Sequence, residues 1–209
     1  MSVEYSILSV LSSRPCSGYD IKAEFEHKAA SLYWGMSFGS IYPRLKKLEQ
    51  EGLIKTINEE SGGRQKKLYD LTGKGWLELE NWLRKPSAQK VVRDELLVKM
   101  ISWESTLPDE RQTFIEHLRV RKYETEEMLK YLEQWPENDY SFISEYGMLA
   151  IKYGQKMLKV ELDWIEEAIE QLQGPAKSPK QDQFSLYPKM NERRELALSE
   201  LDKNMRNNE

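Results

Sequence analysis

The 209-residue chain holds a single cysteine, Cys16, and only two histidines, His27 and His117. One cysteine excludes an internal disulfide and suits a reducing interior, so the cytoplasm is the expected location. Neither histidine stands at a metal-ligand spacing from the other or from Cys16, and no metal or cofactor is expected. No apolar run approaches the ~20 residues that a bilayer span requires, so no membrane partner is expected. The first residues, Met1-Ser2-Val3-Glu4-Tyr5, lack the basic segment and apolar core of a signal peptide. Gly62-Gly63 lacks the spacing of any nucleotide-binding fingerprint. Glu126-Glu127 and Glu166-Glu167 are neighbours on helical stretches, where adjacent side chains diverge; they are solvated faces rather than acid–base pairs. The chain is therefore not read as an enzyme.

Charge, by contrast, is plentiful and unevenly placed. Charged residues make up 32% of the chain and hydrophobic ones 39%, a balance that suits long helices with charged outer faces. The net charge is −4. Residues 1–85 hold 13 Lys+Arg against 11 Asp+Glu, a net of +2, whereas the remainder hold 18 against 24, a net of −6. Within the first part the bases cluster as Arg44, Lys46 and Lys47, then as Arg64, Lys66 and Lys67. An acidic body with a locally basic edge directs phosphates to that edge and repels them elsewhere. A net of +2 is also unremarkable for a domain, and charge alone leaves the two readings even. The order of motifs decides between them.

Residues 38–51 are predicted to form a helix with two unlike faces. Ile41, Leu45 and Leu48 recur at i, i+4 and i+7 as one apolar stripe, and Ser40, Arg44 and Lys47 share that spacing on its flank. Pro43 presses on the carbonyl of Gly39 and calls for a local bend near the helix start. Gly52 stands where a helix C-cap takes positive φ. Strands are predicted at 53–58 and 66–71 around the polar turn 59–65, followed by a helix capped by Thr72 with Trp76, Leu79 and Leu83 on one face. Upstream, residues 3–12 and 18–28 supply two amphipathic helices separated by Arg14-Pro15-Cys16-Ser17. The resulting fold class is mainly α with a small β-wing: a winged helix-turn-helix domain at 1–85, then a helical dimerisation domain.

Lys85-Pro86-Ser87-Ala88 is a linker, since proline follows a helix end. Helices are predicted at 93–104, at 107–134 with Pro108 in the first turn, and at 141–173 after the break Trp135-Pro136-Glu137-Asn138-Asp139. These helices carry more apolar positions than a single hairpin contact buries. A two-fold partner chain is the economical solution, the other being a closed three-helix bundle in a monomer. Domain 86–173 is thus expected to dimerise through Met157, Leu158, Leu162, Ile165 and Ile169. The tail 174–209 opens with the flexible breaker Gly-Pro-Ala-Lys-Ser-Pro and has a short amphipathic helix at 190–205 with Leu196 and Leu201.

Several of these stretches together carry a resemblance. Leu8-Ser9-Val10-Leu11 with Pro15 and Gly18-Tyr19-Asp20, then Gly39-Ser40-Ile41-Tyr42-Pro43 with Leu45 and Leu48-Glu49, then Gly52-Leu53-Ile54, Gly63-Arg64 and Lys67-Leu68-Tyr69-Asp70-Leu71-Thr72 with Gly75 follow in order. The chain resembles the PadR-type transcriptional regulators over residues 3–173, with an AphA-like helical part starting at Asp94-Glu95-Leu96-Leu97-Val98-Lys99-Met100. The resemblance implies a homodimer that binds a palindromic DNA operator, with repression expected and the final helix packed on the partner chain. It places helix 38–51 in a major groove, with half-sites about one helical turn apart or a multiple of it. Ser40, Tyr42, Arg44 and Lys47 are the groove candidates, and Gly63, Arg64 and Lys66 are those of the wing. Tyr42 either reaches a phosphate or thymine methyl or packs under the wing, and the resemblance favours DNA. Tyr19 is either a phosphate contact or a packed tyrosine. Trp34, Trp103, Trp135 and Trp164 either line an aromatic cavity between domains or belong to cores. Trp34, Met36 and Trp103 are the candidates for a small aromatic effector, because the family includes repressors released by phenolic acids. A rival from another class keeps the winged helix as a protein-interaction scaffold; a charge-poor, apolar face over Arg44, Lys47 and Arg64 would favour it.

Overall fold

The computed structural model describes residues 3–26, 41–61, 64–89, 92, 94–107, 109–137 and 143–206. They form two compact units, Met1–Lys90 and Val91–Glu209.

The first unit runs α1 (Val3–Leu11), α2 (Gly18–Glu26), α3 (Ile41–Gln50), β1 (Ile54–Ser61), β2 (Arg64–Leu71) and α4 (Gly73–Arg84). Local chemistry sets each boundary. α1 ends where the hydroxyls of Ser12 and Ser13 donate back to the carbonyls of Ser9 and Val10, both at 2.7 Å. At the start of α2 the Asp20 carboxylate accepts from Ser17 N–H at 2.9 Å and from its hydroxyl at 2.7 Å, and the Asp20 N–H donates to Ser17 Oγ at 3.2 Å. This reciprocal arrangement satisfies orphan donors of the first turn. α3 stops at Gly52, whose φ of 69° lets Leu53 N–H reach back to the Leu48 carbonyl at 2.9 Å. Pro43 lies two residues after Ile41, the first described residue of α3, and the Gly39 carbonyl that it was expected to press on lies outside the described residues.

The two strands pair antiparallel from Ile54 opposite Leu71 to Ser61 opposite Arg64. They are longer than the predicted strands at 53–58 and 66–71. Ladder bonds join backbone groups whatever the side chains, so the polar residues expected to form a turn continue the pairing. Cys16 adds a backbone bridge to Tyr69, with N···O distances of 3.1 and 2.8 Å. The core between helices and hairpin consists of Ile7, Leu8, Leu11, Ile21, Phe25, Ile41, Leu45, Leu48, Ile54, Leu71 and Leu79. Each such side chain contributes about 1.5–3 kcal/mol on burial. α4 is pinned at its first turn: Thr72 Oγ1 accepts from Gly75 N–H at 3.1 Å and donates to the Gly52 carbonyl at 2.7 Å. A Cβ at Gly75 would lie 2.0 Å from the Leu53 carbonyl oxygen, so only glycine permits this approach. Tyr5 of α1 stacks on Trp82 of α4 at 4.9 Å and donates its hydroxyl to Glu78 at 2.8 Å. That hydrogen bond, with burial and the carboxylate charge behind it, raises the Tyr5 pKa.

The second unit comprises α5 (Glu95–Thr106), α6 (Arg111–Gln134), a 3₁₀ turn at Trp135–Glu137, α7 (Glu145–Gln173) and α8 (Leu186–Arg206). α6 and α7 run antiparallel, as the ties Arg111 to the Leu172 carbonyl, Arg121 to Glu161 and Lys159 to Glu133 require. Leu96, Phe114, Leu118 and Ile165 form the buried centre, with Trp103, Trp164, Ile169 and Leu172 packed against it. Arg121 joins three helices: its guanidinium donates to both oxygens of Asp94 at 2.9 Å and to Glu161 at 3.1 Å. Asp94 also caps α5, accepting from Leu96 N–H at 2.9 Å. The helix predicted at 107–134 begins instead at Arg111, because Leu107 N–H donates to the Trp103 carbonyl and ends α5. The one predicted at 141–173 begins at Glu145, where the Ser144 hydroxyl accepts from Gly147 N–H at 3.1 Å. In the tail, the Asp182 carboxylate accepts from the N–H groups of Leu186 and Tyr187, which starts α8 ahead of the 190–205 stretch. Leu196 and Leu201 of α8 are exposed. No helix among the described residues is long and apolar enough to cross a membrane.

Candidate nucleic-acid interface

The site grows from the helical repeat of α3. Ile41, Leu45 and Leu48 face the core and are at most 2% exposed. The same geometry turns Pro43, Lys46, Lys47 and Gln50 to solvent, with Tyr42 and Glu49 on one flank and Arg44 on the other. Tyr42 is 60% exposed and Tyr19 73%. The Tyr42 ring lies over Gly18, where a Cβ would stand 2.7 Å from Cε1. The first turns of α2 and α3 therefore meet at Gly18 and Tyr42, and Tyr19, Tyr42 and Lys46 are all exposed there.

Arg44 and Lys47 have an internal partner. Arg44 Nη1 donates to Glu4 Oε1 of α1 at 2.6 Å, and Lys47 Nζ lies 3.4 Å from the same oxygen and 3.8 Å from Glu51. On the opposite flank, Glu49 ties α3 to both strands of the hairpin. It accepts from the Thr56 hydroxyl of β1 and pairs with Lys67 of β2 at 3.9 Å. Lys67 Nζ in turn stands 4.9 Å from the centre of the Tyr69 ring, a cation–π contact. The wing is thus fixed to the helix by side chains as well as by the core.

The groove candidates Tyr42, Arg44 and Lys47 come together on α3, and Tyr19 is exposed on α2 one residue after Gly18, which the Tyr42 ring meets. Ser40 and Gly63 lie outside the described residues. Arg64 and Lys66 take register positions opposite Ser61 and Glu59 on the hairpin's far end. Of the effector candidates, Trp34 and Met36 lie outside the described residues. Trp103 packs on Phe114 at 4.7 Å and on His117 edge-on at 5.4 Å, and its buried Nε1 has no hydrogen-bond partner among the described residues. Trp164 joins the same core, and Trp135 stacks on Tyr131 at 6.3 Å. Of the dimerisation candidates, Leu158 and Ile165 are buried within the single chain, on the side of α7 that faces α6. Met157, Leu162 and Ile169 are half-buried. Two residues of this face, Lys46 and Glu4, were not among the predicted groove candidates. Lys46 was legible, since it projects away from the Ile41–Leu45–Leu48 stripe. Glu4 was not, because nothing local signals a partner 40 residues away.

A winged helix followed by a helical unit defines the architecture, and comparison with known proteins gives the family. The profile of the PadR-like transcriptional regulator family matches residues 7–81, and that of the virulence activator alpha C-terminal domain matches residues 92–173. Residues 7–81 thus carry a PadR-like transcriptional regulator domain and residues 92–173 a virulence activator alpha C-terminal domain, a pairing found in transcriptional regulators rather than enzymes. It is similar to the negative transcriptional regulator PadR of Bacillus subtilis, 37% identical over 99 residues, 46% of this chain. The chain spans about half the length of that relative, 54%. The fold is similar to that of a PadR-like transcriptional regulator from Bacillus cereus, with a TM-score of 0.71, 25% identity, and coverage of 82% of this chain and 96% of the other. It is also similar to B. subtilis PadR in complex with operator DNA: TM-score 0.66, 29% identity, 81% of this chain and 98% of the other. The same protein in complex with p-coumaric acid gives 0.61 and 28%, over 82% and 99%.

Proposed function

We propose that this chain is a sequence-specific DNA-binding regulator that represses from a palindromic operator as a homodimer. The observation that carries the reading is the outward face of α3, where Tyr42, Lys46 and Lys47 are exposed, Tyr42 packs on Gly18 of α2, and Glu49 clamps the hairpin alongside. A helix of this kind presents hydroxyl and cationic groups to base edges and phosphates, while a wing reaches the adjacent backbone. Tyr19, Tyr42, Arg44 and Lys47 are assigned to the helix contacts together with Ser40, and Gly63, Arg64 and Lys66 to the wing. The similarity to a PadR solved on operator DNA supports this assignment. A regulator of this kind works in the cytoplasm.

Dimerisation is proposed through a second apolar face of α7. Tyr146, Leu149, Tyr153 and Val160 are all more than half exposed and recur at i, i+3, i+7 and i+14, a stripe distinct from the Ile151–Leu158–Ile165 face spent on α6. A C2 partner presenting the same stripe buries both copies. Release by a small aromatic molecule is supported by the similarity to PadR bound to p-coumaric acid and by the buried Trp103 N–H, unpaired among the described residues and set within an aromatic cluster. The test is a mobility-shift titration on DNA from the chain's own promoter region, wild type against Tyr42→Ala/Lys46→Ala. The double variant should lose at least tenfold in affinity. Wild type that binds no DNA at low salt refutes the reading.

A further inference from the structure

Glu4 occupies an unusual position for a surface acid. It sits in the first turn of α1, its side chain is only 20% exposed, and one oxygen, Oε1, takes both Arg44 and Lys47. The pair is not needed to hold α1 against α3. Leu8 and Leu11 of α1 and Leu45 and Leu48 of α3 already share one apolar core, and ion pairs at this exposure contribute little to stability. What the carboxylate does is neutralise the cations on the α1 side of the outward helix. An anionic oxygen held between a guanidinium and an ammonium has the charge and the donors that a backbone phosphate oxygen would meet there.

We propose that Glu4 is an internal stand-in for a DNA phosphate: it holds Arg44 and Lys47 in the free protein and is displaced from them when a duplex engages. The inference rests on the DNA-binding reading above. Its consequence is a lowered sequence-independent affinity. Two cations that arrive already shared with a carboxylate neutralise about one phosphate rather than two, and each phosphate neutralised contributes about 0.9 to the slope of log K against log salt. Binding to random DNA is restrained while base contacts by Tyr42 and Lys46, on the other side of the helix, are untouched. Glu51, at 3.8 Å from Lys47, acts in the same sense but on one cation only.

The experiment uses the full chain and a random-sequence duplex at several salt concentrations. Glu4→Gln keeps the size and hydrogen-bonding shape of the side chain but not its charge. Affinity should rise roughly fivefold, the effect of removing one charge a few ångströms away in water, and the salt slope should steepen by about one. In an Arg44→Ala/Lys47→Ala background Glu4→Gln should then have no effect. A structural role predicts the opposite sign, with affinity falling alongside the melting temperature. Unchanged or weaker binding by Glu4→Gln, with wild type binding normally, overturns the proposal and leaves the DNA reading intact. Wild type that binds no duplex removes both. A second measurement needs no variant: the Arg44 Nε–H resonance of the wild-type chain must shift when DNA is added. No shift at saturation also overturns the exchange.

Discussion

Gly75→Ala should damage the winged-helix unit more than its size suggests. The added methyl would stand 2.0 Å from the Leu53 carbonyl oxygen and 3.0 Å from its carbon, backbone atoms that cannot rotate away. Relief requires α4 to lift off the start of β1. That movement also stretches the Thr72 cap, whose hydroxyl links Gly75 N–H at 3.1 Å to the Gly52 carbonyl at 2.7 Å. Overpacking of this kind costs ~1–3 kcal/mol and loss of a cap ~1 kcal/mol, against a gain of at most ~1 kcal/mol in helix propensity. The net is a loss of about 1–3 kcal/mol, or roughly 5–20 °C in melting temperature for a unit of this size. Gly73, two positions earlier, is the control: a Cβ there meets nothing within 4 Å, so Gly73→Ala should be neutral or raise the melting temperature. Thermal melts followed by circular dichroism check both variants. A Gly75→Ala chain that melts with or above wild type would refute the claim that backbone contact, not sequence preference, requires this glycine.

Gly18→Ala should separate stability from binding. Its methyl would press on the far edge of the exposed Tyr42 ring, at 2.7 Å, and touch Leu45 Cδ1 at an ordinary 3.4 Å, so the melting temperature should shift by less than a few degrees while DNA affinity drops as the ring is displaced. Melts and mobility shifts on the same preparation test it, and unchanged affinity would remove Tyr42 from the interface. Asp94→Asn should weaken the helical unit by about 1–2 kcal/mol at neutral pH, because the variant keeps a capping group but loses the charged fork with Arg121. The Arg121 hydrogen bonds hold the Asp94 pKa below its ordinary 3.8, so the contribution is complete above that value and is lost as pH falls through the lower folded pKa. Urea titrations should therefore show wild type and variant converging below about pH 4. A stability difference that persists unchanged into strong acid would place the effect elsewhere.

Sequence periodicity alone determined the element types and the inward faces of this protein. Ile41, Leu45 and Leu48 define a buried stripe at any helix of 3.6 residues per turn, and Gly52 marks the stop because a left-handed residue is needed there. The order of helices, hairpin and capped helix carried the winged-helix reading for the same reason: each signal lies within a few residues of the structure it specifies. Charge clusters pointed to a basic edge on one helix and one hairpin. Tertiary structure decided the rest. Arg44 and Lys47 were legible as cations on a flank, yet only the approach of α1 to α3 brings Glu4 to 2.6 Å and makes them a shared pair. Leu158 and Ile165 were legible as apolar, but which of two apolar faces of α7 is spent on α6 depends on the packing angle of the hairpin. Tyr146, Leu149, Tyr153 and Val160 are left exposed as a result. Periodicity reports which residues leave water; it carries no record of the partner they meet, because that contact is made between segments far apart in the chain.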